Sequence, residues 1–219
     1  LTADFWVLTF QNYIVKQPGI DYRNNTEWGG LGTFKIKVSN KIIDYARGLL
    51  KEHNFGNRGV ADGNYNEQLT GIIGQCTIQT MFHVDLLTGE EGFDHGKDLE
   101  YTGLSIDVKT MGRTTDVKDY YVNNFIALQK GFPTDEFIFC SYVENKKELT
   151  VCGWLPKNEV EEKAAFYKKG TRRYRSDKTW FRTKADLYEI PNKKLSTVKS
   201  PDDLKQQLKD LTISTNIQT

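Results

Sequence analysis

The chain has few cysteines, few prolines, little histidine and no long apolar run, and each shortage removes a class of protein. Cys76, Cys140 and Cys152 are odd in number and widely spaced. Neither a disulfide framework nor a zinc knuckle is available to them, so buried free thiols are expected. His83 and His95 lack the close clustering that a histidine-built metal centre needs. No stretch of ~18 apolar residues exists to cross a membrane. The early segment DFWVLTFQNYIV is too short, too aromatic and too polar for a signal peptide, so a cytoplasmic location with no membrane partner is expected. The chain opens on Leu1 rather than methionine, as a trimmed chain would. Charge of one sign is lacking too: the formal net charge is +1, which excludes a globally basic nucleic-acid binder while leaving local patches open.

With 219 residues the chain suits a single domain, 1–219, with a core over about 40–155 and a C-terminal extension, 156–219. TFKIKVS alternates like a strand after a loop rich in Gly and Asn. From Asn40, Ile42, Ala46, Leu49 and Leu50 recur at helical spacing, and Asn54 to Gly56 supplies a stop. Asn64 can cap a second helix with Glu67 at its third position, and Leu69, Ile72, Ile73 and Cys76 form its apolar face. Gly71 and Gly74 inside that helix each cost ~1 kcal/mol against alanine, which predicts close packing or close approach of another group. Strands are expected at 98–102 and 104–110, and a hairpin from DEFIFCSYVE and ELTVCGWLP around NKK. The segment 117–130 is ambiguous, NEVEEKAAFY reads as a helix ended by Gly170, and a last helix starts at Ser200 with Pro201 at its first position. This order implies a mixed α/β domain.

The segment GKDLEYTGLSIDVKT carries the chemistry. If Thr102 and Gly103 form a two-residue turn, Tyr101 opposes Leu104 and Asp98 opposes Asp107. Leu104, Ile106 and Val108 then face the core, and Ser105, Asp107 and Lys109 face the other way. Opposed carboxylates repel unless a cation lies between them. Mg²⁺ suits that position, because it takes oxygen ligands from one or two carboxylates and completes its shell with water and phosphate oxygens. Lys109 alongside can orient or deprotonate an attacking water, or balance charge in the transition state. The plain alternative is a pair of solvated aspartates with a lysine partner.

This pattern resembles the PD-(D/E)XK, or restriction-endonuclease-like, nuclease superfamily. The match is Asp98 followed by Asp107, Val108 and Lys109. GIIGQ places Gln75 where an upstream helix often carries glutamate, and Glu67, two turns earlier, is the additional acid that can replace it. The resemblance covers roughly residues 64–155. It implies a central mixed β-sheet flanked by helices and a catalytic set of Asp98, Asp107, Lys109 and Gln75. It also implies a metal set of Asp98, Asp107 and Val108, dependence on Mg²⁺ with Mn²⁺ as substitute, and phosphodiester hydrolysis leaving 5′-phosphates. Pairing with a second copy of the chain is the family's habit. Glutamine at position 75 is also compatible with an inactivated enzyme.

The stretch 168–184 holds eight basic residues, Lys168, Lys169, Arg172, Arg173, Arg175, Lys178, Arg182 and Lys184, against one acid, Asp177. Tyr174, Trp180 and Phe181 are interleaved, which suits phosphate contact with base stacking or wedging, although at least one of these rings is expected in the core. Arg113 can clamp a phosphate, with Lys118, Tyr120 and Tyr121 beyond it. The expectation is a Mg²⁺-dependent DNA endonuclease of the restriction type. Its rivals are a phage or repair nuclease acting on ends, flaps or junctions, and a non-catalytic DNA-binding module on a nuclease scaffold.

Overall fold

The structure is a computed structural model and describes residues 26–28, 32–55, 63–90, 96–174 and 178–217. The early segment DFWVLTFQNYIV, His95 and Arg175 lie outside them. Strands β1 (Thr26–Trp28) and β2 (Phe34–Lys37) precede helices α1 (Asn40–Glu52) and α2 (Tyr65–Phe82). Strands β3 (Leu99–Tyr101), β4 (Leu104–Arg113), β5 (Val122–Ile126), β6 (Glu136–Val143) and β7 (Glu148–Pro156) follow. A single turn, α3 (Val160–Lys163), leads into β8 (Ala165–Tyr167), β9 (Arg172–Tyr174), β10 (Trp180–Arg182), β11 (Leu187–Pro191) and α4 (Pro201–Ile217).

Local chemistry explains the helix starts. Ser39 caps α1 by accepting from the Ile42 amide at 3.3 Å. In α2, Asn64 and Glu67 form a reciprocal box: the Glu67 amide donates to Asn64 Oδ1 at 3.0 Å and the Asn64 amide to Glu67 Oε2 at 2.8 Å. Two of the orphan amides at the helix start are thereby satisfied.

The main sheet has the order β1-β2-β7-β6-β4-β3, with β4 and β6 parallel and every other pair antiparallel. The α/β class and the mixed sheet are as expected. Helices α1, α2 and α4 share one core with the sheet, through Ile43, Ile73, Leu204 and Leu208 against Ile106, Ile138 and Val151. The other face departs from the expectation of flanking helices. A second sheet, ordered β5-β11-β8, covers it through Phe125, Tyr188 and Ile190 packed on Phe137, Phe139 and Leu155. Both faces of β6 are consequently dry, and all eight of its residues are buried.

NEVEEKAAFY is the other correction. Its helix lasts only from Val160 to Lys163, after which Ala165–Tyr167 pairs with Leu187–Glu189 as an edge strand. Tertiary pairing outweighs the local helical preference of Glu, Lys and Ala there. The ambiguous segment 117–130 resolves into β5 and a 3-10 turn, Ala127–Gly131.

Candidate active site

The hairpin β3–β4 has the register expected from its turn. Thr102 and Gly103 both take positive φ, 50° and 87°, and the ladder runs Tyr101 to Leu104, Glu100 to Ser105 and Leu99 to Ile106. Two positive φ values in a two-residue loop are those of a type I′ turn, whose twist matches that of the strands. The ladder ends at Leu99 and Ile106, and Asp98 and Asp107, one residue further out on each strand, line the same cleft. Asp98 stands just before β3: its amide donates to Ile106 O at 2.9 Å, and its carboxylate Oδ2 accepts from the Val108 amide at 2.6 Å. A side chain thus continues the ladder where the backbone pairing stops.

Alternation along β4 sends Ile106 and Val108 into the helical core and Asp107 and Lys109 to the opposite face. Asp107 is 1% exposed, and its Oδ2 lies 2.5 Å from Lys109 Nζ. Gly96, at φ 82°, completes the enclosure. A Cβ there would fall 3.0 Å from Asp107 Oδ2 and 2.9 Å from the Phe132 ring, so a side chain would crowd the carboxylate as well as strain the backbone.

Helix α2 closes the site from the other side. Gly74 lets it approach β4: a Cβ there would meet Thr110 Oγ1 at 1.8 Å. Gly71, by contrast, faces open space in a cleft of about 970 Å³. Glu67, Gln75, Asp98, Asp107, Val108 and Lys109 all line that cleft. Gln75 is buried, whereas Glu67 is exposed near the helix start with its carboxylate engaged in the capping box. The second sheet supplies a facing wall through Asn124, Ile126 and Leu187. The charge of Asp98 is felt inside the helix: burial first, and that carboxylate second, push the Cys76 thiol up to about 12. Cys76, Cys140 and Cys152 are all buried and free.

Gln79 escaped the sequence reading. One helical turn beyond Gln75, it is buried, donates from Nε2 to Asp98 O at 2.8 Å and accepts at Oε1 from the Leu87 amide at 3.0 Å. It pins the backbone that presents Asp98. The i, i+4 spacing from Gln75 was the available signal.

Arg113 departs from its expected role. Its guanidinium donates to Val122 O at 2.6 Å and to Ser141 Oγ at 3.3 Å and lies over the Tyr121 ring, which makes it a joint between β4, β5 and β6. Arg173 is likewise committed, paired with the buried Glu189 and stacked over Tyr167. Lys168, Lys169, Arg172, Lys178, Arg182 and Lys184 are exposed, as are Tyr174 and Trp180, while Phe181 is half-buried. His83 ends α2 in a left-handed cap. Among the described residues, no three His, Cys, Asp or Glu side chains converge to hold a metal.

The described residues include no helix long and apolar enough to cross a membrane. Comparisons with protein-family models, curated proteins and solved structures find no match to this chain.

Proposed function

We propose that the chain is a Mg²⁺-dependent DNA nuclease of the PD-(D/E)XK type. The observation that carries this reading is the convergence of Asp98, Asp107 and Lys109 at one end of the β3–β4 hairpin, on the floor of a cleft that also admits Gln75. The donor set suits a hard dication. Asp98 and Asp107, with a main-chain oxygen at Val108, would hold it through oxygen alone, and a site with few protein ligands is the habit of Mg²⁺ rather than of zinc or calcium. When bound, the ion supplies Lewis-acid polarisation of the scissile phosphate and stabilises developing charge.

The chain's own groups do the rest. Asp107 holds the Lys109 ammonium at the cleft floor, where it can orient an attacking water and offset charge as the phosphorus–oxygen bond to the 3′ oxygen breaks. The water's oxygen stays on the phosphorus as a 5′-phosphate, and the 3′ oxygen leaves as a hydroxyl. Gln79 and the Val108 amide fix Asp98 from its backbone and side-chain ends. Burial of Asp107 between two layers keeps competing water from its pair with Lys109.

Incubating supercoiled and linear DNA with the protein in Mg²⁺ tests the reading. Cutting is expected with Mg²⁺ or Mn²⁺, absent in EDTA, and reduced on the order of 10²–10⁴-fold in Lys109→Ala. Discrete internal fragments assign a restriction-type endonuclease; shortened ends assign a processing enzyme. A second reading, a DNA-binding module that does not cut, rests on the buried amide of Gln75 where an acid is common in the resembled family. DNA binding without cutting by the native chain, and gain of cutting in Gln75→Glu, are its expected results.

A further inference from the structure

We infer that hairpin β9–β10 is a stacking platform for unpaired bases, so that the substrate of the cleft is DNA with a single-stranded segment. The inference rests on the nuclease reading for its link to cutting, but the platform itself is argued from other residues.

The register pairs Trp180 with Tyr174 and Arg182 with Arg172, placing these four side chains on one face, with Arg173 and Phe181 on the other. The two faces have opposite fates. Arg173 turns inward to Glu189 and Tyr167, anchoring the hairpin to the second sheet. Trp180 and Tyr174 remain 50% and 62% exposed, directly across the ladder from each other. Arg172 lies 4.2 Å from the Trp180 ring and 5.4 Å from Tyr174, holding the rings in a fixed cluster. A large, braced aromatic pair left open to water is a contact surface rather than unfinished core.

Charge selects the occupant. Lys168, Lys169, Arg172, Lys178, Arg182 and Lys184 are exposed in the same stretch of chain, and the nearest carboxylate in sequence beyond them, Asp186, accepts from the Lys169 amide at 2.8 Å. A polyanion that also offers flat rings fits such a surface, and single-stranded DNA offers both. A duplex keeps its base faces stacked inward and offers a short exposed hairpin only phosphates and base edges, with no open ring face for Trp180 and Tyr174 to stack on. Placement supports the link to the cleft. Glu189, which holds Arg173, pairs with Asn124, and Asn124 and Leu187 line the cleft wall.

Binding is measured without chemistry, using Lys109→Ala protein in EDTA, by fluorescence anisotropy of a labelled oligothymidylate and of a blunt duplex of equal length. Tighter binding of the single strand is expected, weakened on the order of tenfold in Trp180→Ala and in Tyr174→Ala, and largely restored in Trp180→Phe. Equal or tighter binding of the duplex, no binding of either, or an unchanged affinity in Trp180→Ala overturns the platform. Because no cutting is measured, loss of the platform leaves the nuclease reading standing. An inactive native enzyme leaves the platform standing.

Discussion

At the scale of single residues, the chain buries an acid outside the candidate site. Glu136, at the start of β6, is 6% exposed and its Oε2 has no hydrogen-bond partner among the described residues. Burial, then the nearby charges of Asp135 and Glu159, raise its carboxyl to about 8 from an ordinary 4.5. The folded state therefore keeps a proton that the unfolded chain releases, so this group weakens folding progressively as pH rises from 4.5 through 8. Glu136→Gln is expected to flatten that loss and to raise Tm at pH 8 more than at pH 5, as followed by thermal melts across the range. Asp107, also buried, instead has the Lys109 ammonium at 2.5 Å from its carboxylate.

At the scale of elements, the two glycines of α2 divide the tasks that the sequence could assign only jointly. Gly74→Ala drives a Cβ to 2.7 Å from Thr110 Cβ, so the helix must lift from β4, at about 1–3 kcal/mol. Gly71→Ala meets nothing within 4 Å and should gain about 1 kcal/mol of helix propensity, or roughly 2–4 °C in Tm for a chain of this size. Melting the two variants side by side checks both signs. An activity loss in the more stable Gly71→Ala variant would place substrate against that turn of the helix. The elements legible in the sequence were those with strong local punctuation: the Asn64–Glu67 box, the Thr102–Gly103 turn and the apolar runs of β6 and β7. With them came the register of the β3–β4 hairpin as far as Leu99 against Ile106. Strands β8 to β11 were not legible, because three- to five-residue pairings such as Arg172–Tyr174 carry no apolar alternation and depend on partners distant in sequence. Gln79 was hidden for a related reason, since its two backbone partners lie in a loop that only the fold brings to the helix.

At the scale of the whole molecule, the distinction among basic residues matters more than their number. Arg173→Ala leaves Glu189 buried without its guanidinium and is expected to cost on the order of 3 kcal/mol of stability, while the salt dependence of DNA binding changes little. Lys168→Ala should do the reverse, leaving stability within about 0.5 kcal/mol and lowering the slope of log K against log salt by about 0.7 for a single strand. Urea melts and binding titrations at several salt concentrations separate the two. Net charge near zero is then compatible with a strongly anion-seeking surface, because the acids sit elsewhere in the chain.

The two-residue loop between β3 and β4 sets more than the shape of a hairpin. Side chains on β4 alternate between the helical core and the opposite face of the sheet, so Ile106 and Val108 are read on one face and Asp107 and Lys109 on the other. Insertion of one residue at Thr102–Gly103, compensated by a one-residue slip of β4, would turn the hydrophobic pair to the opposite face and bury the charged pair under α2. Core and chemistry are written in a single reading frame, and the turn is its start signal. A change there can silence the site while every one of its residues is retained.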